Sequence, residues 1–263
     1  MAVKGLELFA SRLAGDQNAF ILIGGAACDL WFSEMNLEFR ATRDLDVVLV
    51  AERLTPGFIG RFHAFIRDGE YEIRNRSEGG PPVLYRFAKP AKNEFPSMIE
   101  LFCRAEPGLN LAADQHIIPV RMENAPSLSA ILLHTGYYDF LLQHCRATRG
   151  IMAADAAALI PFKARAWLDL TARKEAGARI KEEDIRKHRN DVFSLATTLP
   201  GQPGEPLPQD VATDLVAFLA CHPQAHPDWP AILQAIRATV GGAIPPETLV
   251  AAIHIFFQLD INT

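Results

Sequence analysis

The 263-residue sequence has no apolar run long enough to cross a bilayer; the longest, Ala19 to Ala27, is cut by Asp29. No basic segment leads into that run, since Asp16 and Gln17 sit just before it, so no secretory signal is expected. Cysteine is scarce: Cys28, Cys103, Cys145 and Cys221 lie 75, 42 and 76 residues apart, without a C-x-x-C pair. Zinc-knuckle and thioredoxin-type readings therefore fail. Scattered thiols read instead as buried and free in a reducing compartment, with the cytoplasm as the default localisation. G-x-S-x-G, Walker A and G-x-G-x-x-G motifs are all missing, which removes serine hydrolases, P-loop NTPases and Rossmann dehydrogenases. Internal repeats and low-complexity tracts are absent too. What is present is a globular composition, 49% hydrophobic and 22% charged, enough for one large domain or two modest ones. No membrane association is expected.

The net charge of −5 gives the surface as a whole no attraction for nucleic acid. The charge is uneven, however. Residues 163–189 hold nine Lys/Arg and five Asp/Glu, a local +4 that leaves −9 for the remainder. A basic face in an acidic chain suits a phosphate-bearing ligand, and it equally suits a solvated helix surface.

Hydrophobic periodicity predicts a helix over 4–14, a strand over Phe20–Ile23, a helix from Ala26 to Met35 and a strand over Val47–Val50. Thr55-Pro56 opens a further helix to Ile66. Strands are expected at Tyr71–Arg74, Val83–Ala88, Ser97–Cys103 and Ile117–Arg121, with Glu78 to Pro82 as a hairpin turn. From Ser127 onward only helices are expected, at 127–145, 153–174, 182–198, 208–221, 229–239 and 246–258. Pro200 to Pro208, with four prolines and two glycines, reads as a linker. The expected organisation is a mixed α/β core over 1–125, a helical region over 126–199, the linker 200–208 and C-terminal helices over 209–263. The fold class is α+β.

Three features of the first half carry chemistry when taken together. Gly24-Gly25 ends a strand and opens a helix, where backbone N–H groups can approach a phosphate. Asp44 and Asp46 head the next strand, and the period of two puts both carboxylates on one sheet face. Glu100 is an isolated acid in the apolar Met98-Ile99-Glu100-Leu101-Phe102, where an unpaired carboxylate is costly. Three converging carboxylates suit hard cations such as Mg²⁺, which support in-line displacement at phosphorus.

Ile23-Gly24-Gly25 followed by Arg40-Ala41-Thr42-Arg43-Asp44-Leu45-Asp46 resembles the nucleotidyltransferases of the DNA polymerase β superfamily. More narrowly it resembles the AbiEii-type branch, toxins of abortive-infection toxin–antitoxin systems, in which an Arg-x-Thr precedes Asp-x-Asp. The 18 residues between Gly25 and Asp44 exceed the general superfamily spacing and favour that branch. The second half extends the match through Lys163 and, on a later helix, through Lys187-His188-Arg189-Asn190-Asp191; Ser194 stands where many relatives carry a second Asp. The resemblance spans roughly residues 18 to 196. It implies a nucleotidyltransferase-type mixed β-sheet with flanking helices, followed by an α-helical C-terminal region.

The implied activity is Mg²⁺-dependent transfer of a nucleoside monophosphate from an NTP to a hydroxyl of a tRNA end or a protein side chain, with Mn²⁺ as a substitute metal. Asp44, Asp46 and Glu100 would hold the metal. Gly24, Gly25, Arg40, Thr42 and Lys163 would bind the nucleotide. Asp44, Asp46, Lys163 and Asp191 would form the catalytic set, and an antitoxin partner is implied. The alternative is a non-catalytic nucleotide-binding or partner-binding protein on the same fold.

Each residue also has a plainer reading. Gly-Gly is commonly a tight turn, Asp-x-Asp a pair of solvated strand-start residues, and Glu100 a partner for Arg86 or Arg104. His188 falls on the apolar stripe with Ile185, Val192 and Leu195, which predicts a packed, hydrogen-bonded histidine. Cys221-His222 and His226 read as a helix end and loop, because Pro223 interrupts them and no fourth metal ligand is near.

Overall fold

A computed structural model describes residues 3–75, 82–105, 117–120 and 128–259. The chain is α+β, with a mixed sheet and helices that divide into two compact units. One comprises Met1–Leu30, Ala41–Tyr138 and Cys145–Ala154; the other comprises Trp31–Arg40, Asp139–His144 and Asp155–Thr263. No described helix is long and apolar enough to cross a membrane.

The first unit is built on α1 (Leu6–Arg12), β1 (Phe20–Ile23), the start of α2 (Gly24–Glu34), β2 (Asp44–Leu49), α3 (Pro56–Asp68), β3 (Glu72–Asn75), β4 (Pro82–Ala88) and β5 (Met98–Cys103). It continues through β6 (Ile117–Val120), β7 (Leu128–Leu132), the start of α4 (Thr135–Gln143), β8 (Cys145–Thr148) and β9 (Ile151–Ala154). The strand order is β3-β4-β5-β2-β1-β9-β8, with β7 beside β5 and β6 beside β7. β1, buried at every position, pairs antiparallel with β2 and parallel with β9.

Alternation decides what each sheet face carries. Phe20 on β1 meets Phe9 of α1 and Phe58 of α3, while Phe87 on β4 meets Phe62 of α3. The helices α1 and α3 therefore cover that face with a fully buried aromatic layer. Helix α3 starts where its sequence says it should: Thr55 Oγ1 accepts from the Phe58 N–H, and Pro56 fills the first helical position. Asp44, Asp46, Arg86 and Glu100, each offset by one residue from that layer, belong to the opposite face.

The expectation of helices alone after Ser127 is corrected by β7, β8 and β9. Leu128-Ser129-Ala130-Ile131-Leu132 is a short apolar run, and it pairs parallel with β5 and antiparallel with β6. β8 and β9 form a hairpin in which Thr148 opposes Ile151, with Arg149 and Gly150 between them at φ 49° and 79°. Two consecutive positive φ values are the signature of the tight type I′ turn that joins adjacent strands. Helix α4 is correspondingly shorter than the helix expected over 127–145. The hairpin expected around residues 78–82 has its strands, β3 and β4, paired antiparallel; the turn residues 78–81 lie outside the described residues, as does Arg121.

The second unit packs α5 (Ala156–Glu175), α6 (Glu182–Ala196), α7 (Gln209–Ala220), α8 (Trp229–Val240) and α9 (Pro246–Phe257). α5 lies against α6 and α7, and α6 against α8 and α9. Asp155 caps α5 by accepting from the Ala158 N–H at 3.1 Å. Phe193, Phe218 and Trp229 form the aromatic centre, with Phe193 and Trp229 ring centroids 4.7 Å apart. The proline-rich stretch 200–208 has no regular secondary structure but is fastened to α9: Gly204 N–H donates to Phe256 O at 2.8 Å, and Gln258 Nε2 donates to Gly204 O at 2.6 Å.

Candidate functional site

Two clusters contain the residues singled out by sequence, one in each unit. In the sheet unit, β1 runs directly into α2 with no intervening loop. The β1–β2 register opposes Ile23 to Asp46, which brings the Asp46 side chain beside the strand-to-helix junction. Gly24 has φ 68°, and a Cβ there would fall on the Asp46 carboxylate, 2.7 Å from its Cγ. Glycine is required at this position on both counts. At Gly25 an added Cβ would lie 2.7 Å from Thr42 Oγ1. Gly24, Gly25, Thr42 and Asp46 are thus in mutual close approach at a helix N-terminus, where unpaired N–H groups and the helix dipole favour negative charge.

Asp44 and Asp46 alternate with the buried Leu45 and Val47 and share one sheet face. Across the parallel β2–β5 pair, Asp46 opposes Glu100. Across the antiparallel β4–β5 pair, Arg86 opposes Glu100, and its Nε donates to Glu100 Oε1 at 2.5 Å. The cation that a carboxylate in this strand needs is therefore supplied by Arg86 rather than Arg104, which pairs with Glu52. Among the described residues no group of three or more His, Cys, Asp or Glu is disposed to hold a metal ion. Mg²⁺ is commonly held by one or two carboxylates together with substrate phosphates, and Asp44 and Asp46 are the residues on this face that could hold it in that way.

Sequence reasoning did not single out Asp29, which lies on α2 one turn beyond Gly25. It is buried, and burial raises its carboxyl above the ordinary value.

In the helical unit, Asp191 on α6 is the hub of the second cluster. Arg40 grips it with both ends of its guanidinium, Nε to Oδ1 at 2.8 Å and Nη2 to Oδ2 at 2.7 Å. Lys163 Nζ, on α5, lies 2.9 Å from Oδ2. Asp191 and Lys163 are both almost fully buried, whereas Arg40 is partly exposed. Burial alone would raise the Asp191 carboxyl; Lys163 and Arg40 outweigh it and hold the group below the ordinary carboxylate range. Two cations thus converge on one carboxylate.

His188 stands one helical turn before Asp191. Burial, reinforced by Lys163, pushes its imidazole down to about 3, so it is neutral at physiological pH. It is packed as the apolar stripe predicts, but its buried Nδ1 has no hydrogen-bond partner among the described residues. At the end of α7, Cys221 closes the helix and His222 is buried behind it, in keeping with the helix-end reading.

Comparison of the chain with family models, with curated proteins and with solved structures gives no match in any of the three.

Proposed function

We propose that this protein is a Mg²⁺-dependent nucleotidyltransferase that transfers a nucleoside monophosphate from an NTP to a hydroxyl. The observation that carries this reading is the Asp46 carboxylate lying against Gly24 at the β1–α2 junction, with Asp44 on the same strand face. A sheet-borne carboxylate pair beside a helix N-terminus offers a metal-binding edge and phosphate-facing N–H groups within one unit. Asp44 and Asp46 would hold Mg²⁺, or Mn²⁺ in its place. When bound, the metal would neutralise phosphate charge and make the α-phosphorus more electrophilic. Gly24 and Gly25 would let the triphosphate approach the backbone. The acceptor oxygen attacks the α-phosphorus and releases its proton to solvent, the bond to the bridging oxygen breaks, and pyrophosphate leaves with that electron pair. Positioning and electrostatic stabilisation supply the rate. The resemblance gives Lys163 a part in phosphate contact, Asp191 a part in completing the catalytic set, and a tRNA end or protein side chain as acceptor, with an antitoxin as a further partner.

The test is label transfer. Wild type and Asp46→Asn are incubated with α-labelled ATP, CTP, GTP or UTP, Mg²⁺, total tRNA and protein extract. Label on RNA or on a protein band with wild type alone supports transfer and identifies base and acceptor class. Equal transfer by Asp46→Asn would overturn the assignment.

A second reading, a nucleotide-binding protein without turnover, is favoured by one observation. Glu100, the third carboxylate of the expected metal set, is already neutralised by Arg86. Mg²⁺-dependent NTP binding with no label transfer identifies this case.

A further inference from the structure

Two sequence features that the transferase reading leaves unused converge within the helical unit. One is the basic stretch 163–189 beyond Lys163; the other is Cys221-His222 with His226. Both line a cavity of about 360 Å³ between the end of α5, the start of α6 and the turn joining α7 to α8. That volume is at the lower end of small-molecule sites, which run from about 300 to 1,000 Å³.

Hydrogen-bonding groups and rings fill the walls. Arg189 is 5% exposed and donates from Nη1 to Asp228 and, at 3.4 Å, from Nε to Asn190 Oδ1; its Nη2 has no acceptor among the described residues. Its counter-ion Asp228 is far more exposed, so the cation is deep and the carboxylate is at the rim. Thr171 Oγ1 is buried and has no partner among the described residues. His226 Nδ1 accepts from the Asp228 N–H at 3.2 Å, which puts the ring hydrogen on Nε2 and makes that atom a donor. His222 Nδ1 lies 2.8 Å from Phe218 O, which leaves its Nε2 as an acceptor. Trp167 and Ile185 supply apolar wall.

The lining charges balance, three cations against three carboxylates. Glu182 is paired with Lys174 and Asp228 with Arg189, which leaves Arg186 and Glu175 facing solvent at the exposed margin. A metal centre does not fit, since Cys221, His222, His226 and Asp228 form no metal-holding group.

We propose that this cavity binds a small planar-ringed oxyanion of about mononucleotide size, with the anionic group toward Arg189 and Thr171 and the ring along Trp167 and His226. The site is independent of the transferase reading, because it needs neither Asp44 nor Asp46.

Isothermal titration of the full chain in EDTA tests it. The probes are the four nucleoside 5′-monophosphates, their nucleosides, inorganic phosphate, and salicylate as an aromatic carboxylate. A monophosphate or salicylate binding at least tenfold tighter than both nucleoside and phosphate supports the proposal, and whichever of the two wins names the oxyanion. Thr171→Val removes a hydroxyl that has no partner among the described residues, so the fold is kept while binding weakens at least threefold. Arg189→Gln weakens it at least tenfold, with a thermal melt as the folding control. Asp46→Asn leaves it unchanged. Absence of binding by every probe, binding insensitive to Thr171→Val, or binding lost in Asp46→Asn would each overturn the proposal.

Discussion

Lys163 Nζ lies 2.9 Å from Oδ2 of an Asp191 carboxylate that is 2% exposed, and Arg40 spans both oxygens of the same group. A buried carboxylate of this kind tolerates two cations far better than one. Lys163→Met leaves Asp191 with Arg40 alone, and the expected loss is about 1.5 to 3 kcal/mol, the range for a lost hydrogen bond to a charged group. Urea melts at pH 7 measure it. Lys163→Met/Asp191→Asn removes the carboxylate that has lost a partner and should recover a measurable part of that loss.

The same cluster sets an acid response. The Asp191 carboxyl is held below its ordinary value, so its stabilisation is full above that value and is lost as pH falls through the depressed one. His188 acts in the same direction for a different reason. Held down to about 3 by burial, it stays neutral in the folded chain while the unfolded chain takes up a proton near 6.5. Between those limits stability falls as pH falls, by up to about 1.4 kcal/mol per pH unit for this group. Chemical denaturation between pH 7 and 4 should show a smaller loss in His188→Leu than in wild type.

Gly24→Ala puts a methyl group where the Asp46 carboxylate sits. The strained φ alone costs on the order of 1 to 3 kcal/mol. Label transfer should fall at least tenfold while far-UV circular dichroism stays native. Unchanged transfer would mean that Asp46 does not act from this position.

Arg86 and Glu100 separate a structural from a metal-binding role. If the pair only secures the β4–β5 register, Glu100→Gln keeps transfer, and a double-mutant cycle with Arg86→Ala shows coupling in stability. Arg86→Ala alone is the more damaging change, because it strands a half-buried carboxylate. Loss of transfer in Glu100→Gln with stability preserved would instead assign the carboxylate to the metal.

Much of the sheet unit was legible because its signals are local. Phe20–Ile23, the two glycines and Asp-x-Asp announce strand, junction and strand within 30 residues, and the Arg86 partnership of Glu100 was one of two readings open from sequence. The later strands were hidden for a physical reason. A five-residue apolar run such as Leu128–Leu132 has no period that distinguishes a buried strand from a helix segment. The clue to the β8–β9 hairpin was Arg149-Gly150, which lacks the Asn or Asp usual in such a turn. Contacts across long separations were the least legible. Arg40 and Asp191 are 151 residues apart, and only family resemblance linked either of them to Lys163. The cavity beside Arg189 draws on two helices and a turn, which no spacing rule connects.

The close approach of Gly24 and Asp46 also bears on how this chain can diverge. A side chain at residue 24 and a carboxylate at residue 46 compete for the same volume, so neither position can change without regard to the other. A descendant that gives up the aspartate frees residue 24 from steric exclusion, although its positive φ still favours glycine. A descendant that keeps the aspartate must keep the glycine. The two positions are inherited as one character.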